Sequence, residues 1–300
     1  MGCLTNSMMI WMNCWDCRRI MELILNEKSL DGQFANLEEF FQTLPEMGRN
    51  LKILQEKDIL LYKHSSLYSR KVTEDMTLMD LQNSRGNILP IYRDEVRRWK
   101  RELAVLTTNP PFWDLKSQEC EDSIFEAARR ETDVVSFRHS EYEDSALEVL
   151  KCDGSAQIVH SAVSTRYLVD ILKMHNAIDT LFYLKKRYAG GRLVLEQLDA
   201  DTESVSSLQK SELDELVTAL DRFESMDSWK EICNDNFFNY KSYRPASKKK
   251  DYFAKTSFGD KAIDKFRCGQ HSQVRCFGYR EGDRFYVLMI ERDHRVSDTG

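Results

Sequence analysis

Glycine and proline are scarce in this chain, 12 and 5 in 300 residues. That excludes a collagenous or low-complexity polypeptide and leaves few points at which the backbone must break. Long apolar runs are missing too. The longest near the start, MMIWM, falls far short of the roughly 20 residues that cross a bilayer, and no longer apolar core with a small-residue cleavage site stands there. The chain is therefore expected in the cytoplasm with no membrane partner, and Met21 is a candidate for the first residue of the folded part. Paired cysteine motifs are nearly absent. Of the eight cysteines only Cys14 and Cys17 form a C-x-x-C, and no second pair or H-x-x-H completes a zinc site, so reduced thiols are the default. Phosphate-loop, dinucleotide-binding, nucleophile-elbow and H-E-x-x-H patterns are lacking as well. Neither a cofactor nor a metal is expected.

What is present is globular: 42% hydrophobic and 31% charged residues, in a length sufficient for two ordinary domains. The net charge of −6 is unevenly spread. From Lys230 to Gly300 there are 15 Lys and Arg against 10 Asp and Glu, and the remaining residues carry 28 against 39. The C-terminal part thus suits an anionic partner, or the acidic part of its own chain.

Asn36 is a candidate cap for a helix through Phe40, Phe41 and Leu44. A strand is expected around Ile59 to Tyr62, a helix over Asp94 to Leu106, and a turn at Pro110-Pro111. A helix over Cys120 to Thr132 precedes a strand in DVVSFRH, then a hairpin turning at Asp153-Gly154. Ser164 and Asn176 are candidate caps for two further helices. Gly190-Gly191 is the best boundary, giving an N-terminal mixed helix/strand domain over 1–190 and a second domain over 191–300. The second domain opens with RLVLEQL, continues with helices over Ser206 to Asp221 and Ser225 to Asn234, and then a basic, aromatic loop or arm. The expected class is α+β, with a small C-terminal antiparallel sheet backed by two helices.

The segment Lys265 to Gly300 carries the densest signal. VRCFGYRE and RFYVLMIE are rich in β-branched and aromatic residues and flank Gly282-Asp283, a pair that closes a two-residue hairpin. Arg267, His271, Arg275, Arg280, Arg284, Arg292, His294 and Arg295 surround it. Read from Arg192, the order of strand, helix, helix, loop, the FRC strand and this hairpin, followed by Arg292, His294 and Arg295, resembles the RelE-type ribonuclease toxins of bacterial toxin–antitoxin systems. The resemblance covers the C-terminal third and names no family for the N-terminal domain. It implies a metal-independent endoribonuclease acting on RNA, and an antitoxin or regulatory protein as partner. The N-terminal domain would restrain or position the toxin-like one, a plan common in antiviral defence effectors.

In such cleavage the RNA 2′-OH attacks the adjacent phosphate. The protein stabilises the phosphorane and moves protons. Arg275 is the first candidate for the phosphorane and His294 for the general acid, with Arg267 and His271 as further catalytic candidates. Lys265 can share a sheet face with Arg267 and Arg275. Lys248, Lys249 and Lys250 are candidates for gripping the backbone, Arg280 for phosphate, and Tyr279, with Phe277, for base stacking. The plainer reading pairs the arginines with Glu281, Asp283, Glu291 and Asp293, solvates the lysine run and puts the aromatics in a core. Two functions stay open: an RNA-cleaving effector, or a non-catalytic module that binds nucleic acid or an acidic protein.

Overall fold

The computed structural model describes residues 21–83, 93–114, 122–151, 153–198, 205–245, 251–293 and 296. In chain order the strands are β1 Glu22–Asn26, β2 Leu60–Tyr62, β3 Lys71–Thr73, β4 Met76–Thr77, β5 Val134–Ser136, β6 Ser145–Leu150, β7 Ala156–Ala162, β8 Leu193–Val194, β9 Lys241–Ser242, β10 Ile263–Arg267, β11 Arg275–Glu281 and β12 Arg284–Glu291. The helices are α1 Leu37–Glu56, α2 Leu78–Asn83, α3 Arg93–Thr108, α4 Ser123–Arg130, α5 Thr165–Met174, α6 Thr180–Arg187, α7 Lys210–Ser225 and α8 Trp229–Asn234. The class is α+β.

The first sheet runs β2-β1-β5-β7-β6. Its first four strands are parallel, and β6 returns antiparallel to β7. Leu23, Ile24 and Leu25 are all fully buried, as a parallel sheet covered on both faces requires. Ile24, Val134 and Val159 pack on Ile124, Ala127 and Ala128 of α4. Leu23, Leu25 and Val135 belong instead to the main core with α1 and α5. The cap at Asn36 forms as expected, its side chain accepting from the Glu39 amide, but α1 then continues through Pro45 to Glu56. Asn176 does not cap α6. It takes a left-handed conformation after α5, and Asp179 accepts from the Phe182 amide instead.

The second sheet runs β8-β12-β11-β10-β9 and draws only on residues after Arg192. Its main pairs are antiparallel, and the short β8 adds to β12 in parallel. The β11–β12 turn falls at Gly282-Asp283, with Gly282 at φ 60°. α7 and α8 back this sheet. Phe223 of α7 stacks on Phe266 with ring centroids 5.0 Å apart and meets Trp229 of α8 at 5.7 Å. Among the described residues no helix is long and apolar enough to cross a membrane.

The Gly190-Gly191 junction is pinned. Glu224 accepts from the amides of Arg192 and Leu193, and a Cβ on Gly191 would lie 2.6 Å from that carboxylate. Asp221 of α7 takes Arg187, Arg166 and the Tyr188 hydroxyl, and Arg187 also pairs with Asp170. Burial alone would favour neutral Arg187, but the bonds from Asp221 and Asp170 outweigh it and hold its pKa above the ordinary value. One apolar core runs through both parts of the chain. Asp221→Ala leaves Arg187 with one partner and the Tyr188 hydroxyl with only the Val217 carbonyl. A loss of about 2–3 kcal/mol is expected in urea unfolding. An unchanged midpoint would show that the junction is held by its apolar contacts alone.

Candidate functional site

The second sheet has two unlike faces. One carries Phe266, Cys276 and Ile290 into the helix-packed core. The other carries Ile263, Phe277, Tyr279 and Met289, covered by Phe253 and Phe258 from the 251–258 segment. Cross-strand partners share a face, and so do alternate residues along a strand. Lys241 opposes Lys265, Lys265 opposes Phe277, Arg267 opposes Arg275, and Arg275 opposes Glu291. Four cations and one carboxylate thus collect at one end of the covered face.

A small, shallow pocket opens there, lined by Asn239, Lys241, Lys265, Phe266, Arg267 and Arg275. The Phe266 ring is turned to Phe223 on the helix side, so this residue meets the pocket through its backbone. The rim at Asn239 is held by the Arg267 amide, which donates to the Phe238 carbonyl at 2.6 Å. Asn239 itself is left-handed, φ 46°, and exposed.

Lys265 is only 9% exposed and Arg275 only 4%. Burial, then the charges of Arg275 and Lys241, push the Lys265 pKa below its ordinary value, and Glu291 opposes the shift. Burial, then Arg267, likewise lowers the pKa of Arg275, again against Glu291. Such crowding of partly desolvated cations is relieved by a bound anion.

That electrostatic arrangement fixes the sign of a pH effect. An anion bound in this pocket would favour charged Lys265, so its binding would take up a proton wherever free Lys265 has begun to lose its own. Affinity for such an anion would therefore be full below the depressed pKa and fall as pH rises through it, before the ordinary 10.5 is reached. Oligonucleotide affinity measured in pH steps should show this fall in the wild type and a flatter profile in Lys265→Met. Identical profiles would remove Lys265 from the site.

Of the sequence candidates, Arg275, Arg267 and Lys265 converge at this pocket. His271 does not line it; it is exposed in the β10–β11 loop. Arg280 lies on the opposite face, its guanidinium 4.2 Å over the Trp229 ring and its Nε donating to the Gly282 carbonyl. Tyr279 is buried, parallel to Tyr286 at 4.9 Å, with its hydroxyl donating to Gln197. Phe277 is fully buried. Neither ring offers a base the open face that stacking needs. His294, Lys248, Lys249 and Lys250 lie outside the described residues. Sequence reasoning missed Asn239 and Lys241. Both lie where the chain reads as a loop, and the two residues of β9 are too few to show a strand period.

Among the described residues no group of His, Cys, Asp or Glu is placed to hold a metal ion. No protein-family model, no curated protein and no solved structure matches the chain.

Proposed function

We propose that the second sheet binds an RNA phosphate in this pocket and promotes attack by the neighbouring 2′-OH. The chain would then be a toxin-like endoribonuclease whose N-terminal part restrains or positions the cleaving part, with an antitoxin or other regulatory protein as a further partner. The observation that carries this reading is the convergence of Lys241, Lys265, Arg267 and Arg275 on one pocket. Arg275 and Arg267 meet the phosphorane oxygens, Arg275 from inside a strand that fixes its base. Lys265 holds the phosphate. His294, three residues after Glu291, is the expected general acid. The order β8, α7, α8, then β9 to β12, supports the resemblance to RelE-type toxins.

The test is to incubate the full chain with single-stranded RNA in excess EDTA. Expected are products with 2′,3′-cyclic phosphate and 5′-hydroxyl ends, and none from a substrate with deoxyribose at the scissile position. Cleavage of that deoxy substrate would overturn the mechanism.

The second reading, a non-catalytic nucleic-acid or protein-binding module, is favoured by one observation: His271 stands in a loop rather than at the pocket. Salt-sensitive RNA binding by a chain that yields no products would select it.

A further inference from the structure

With Tyr279 and Phe277 covered, the aromatic surface for an RNA base must lie elsewhere. The covering segment supplies it. Phe253 points inward, 6.1 Å from Phe277 and 5.4 Å from Tyr243. Its neighbour Tyr252 points outward and is 42% exposed, its ring edge-on to Phe253 at 5.1 Å. The backbone beneath is held. The Asp251 carboxylate accepts from the Phe253 amide, and the Thr256 amide donates to the Phe253 carbonyl. Tyr252 is thus a supported aromatic side chain standing on the pocket side of the sheet.

The cations of this half of the chain fall into two groups, and Lys210, Lys230 and Arg284 share with those near Tyr252 the lack of an ion pair among the described residues. Arg192, Arg222, Lys261 and Arg292 each reach an acid: Asp283, Asp235, Glu281 and Glu212. Lys241, Arg244 and Lys255 are exposed and form no ion pair among the described residues. Lys241 lines the pocket, Arg244 follows it along the sheet edge, and Lys255 lies one turn after Tyr252. Cations on an edge strand also guard a sheet against pairing with another. A half-exposed tyrosine among them has no part in that defence. Unpaired cations interleaved with an open aromatic are what a single strand needs, since its phosphates meet the charges and its unstacked bases meet the ring.

We propose that Lys241, Arg244, Tyr252 and Lys255 form a track for single-stranded RNA, with Tyr252 stacking on a base while the pocket holds a nearby phosphate. The inference rests on the reading of the pocket as an RNA-phosphate site. The usual site size for a single strand, roughly 4–16 nucleotides, sets the length of oligomer to test.

The probes are two labelled oligomers of roughly ten nucleotides, one a 2′-O-methyl RNA that its own 2′-oxygen cannot cleave, the other an abasic ribose-phosphate chain of equal length. Binding of the full chain is followed by anisotropy at fixed salt. Tyr252→Ala should weaken the base-bearing oligomer about 5- to 100-fold and leave the abasic one unchanged. Tyr252→Trp should keep the affinity and show indole quenching on binding. Arg275→Ala should weaken both oligomers. If Tyr252→Ala changes neither oligomer, or both alike, while Arg275→Ala weakens both, the track is overturned and the pocket stands. If Arg275→Ala changes neither, the pocket reading fails. If the wild type binds neither, both ideas fall and an acidic protein becomes the partner to seek.

Discussion

Arg275→Ala is expected to lower the single-turnover rate of RNA cleavage about a hundred- to a thousand-fold, the usual loss when one preorganised donor to a developing oxyanion is removed. The fold should survive the change. In the free protein Arg275 is buried beside Arg267 and Lys265, and both burial and Arg267 act against its charge. Removing it relieves that repulsion and gives up the attraction of the buried Glu291 opposite. Glu291 keeps the Val296 amide as a donor and Lys265 as a neighbouring cation. The two effects oppose each other, so melting should fall by no more than roughly 5 °C while the rate collapses. Arg275→Lys makes the argument sharper, because it keeps the charge and loses the planar fork that meets two phosphate oxygens at once. Its rate should stay well below the wild type, with affinity largely restored. An Arg275→Ala rate within about twofold of the wild type would place the reacting phosphate elsewhere, since a contact made in the transition state cannot vanish without effect.

How much of this could be read from residue order depends on the range of the interaction that decides each feature. The hairpin at Gly282-Asp283 was legible because a turn residue at φ 60° and two flanking strands are local matters. The caps at Asn36 and Ser164 were legible for the same reason. The shared face of Lys265, Arg267 and Arg275 followed from strand alternation once β10 and β11 were placed. Alternation alone does not say which face is open. Tyr279 and Phe277 lie on the pocket side, yet Phe253 and Phe258, some twenty residues upstream, cover them. Arg280, one residue on from Tyr279, necessarily faces the helices and finds Trp229. The Asn176 cap failed because Asp179 offered a competing oxygen nearer the helix. The parallel order β2-β1-β5-β7 was hidden because such strands pair across long connections.

Gly278→Ala should damage the site without touching any pocket residue. Gly278 lies in β11 at an irregularity in the pairing: Phe277 opposes Met289, but Gly278 opposes Val287, so Leu288 is passed over. A Cβ at Gly278 would sit 2.1 Å from the Tyr286 carbonyl oxygen and 2.7 Å from the Phe285 ring. The first of these is backbone and cannot rotate away. The second belongs to a fully buried ring packed on Phe223 and Phe266. Relief therefore requires β11 and β12 to separate. Overpacking of this kind destabilises by about 1–3 kcal/mol, and more where backbone must move. In a chain of this size that lowers Tm by roughly 2–5 °C. The same separation shifts Phe277, which opposes Lys265, and Arg275, which opposes Glu291, so oligonucleotide affinity should fall in parallel. Gly282→Asn is the control. That turn position has nothing within 4 Å of an added Cβ, and asparagine tolerates its positive φ. Melting followed by circular dichroism checks the pair. If Gly278→Ala melts within about 1 °C of the wild type and binds RNA equally well, the close approach of β11 to β12 is not what holds the pocket in register.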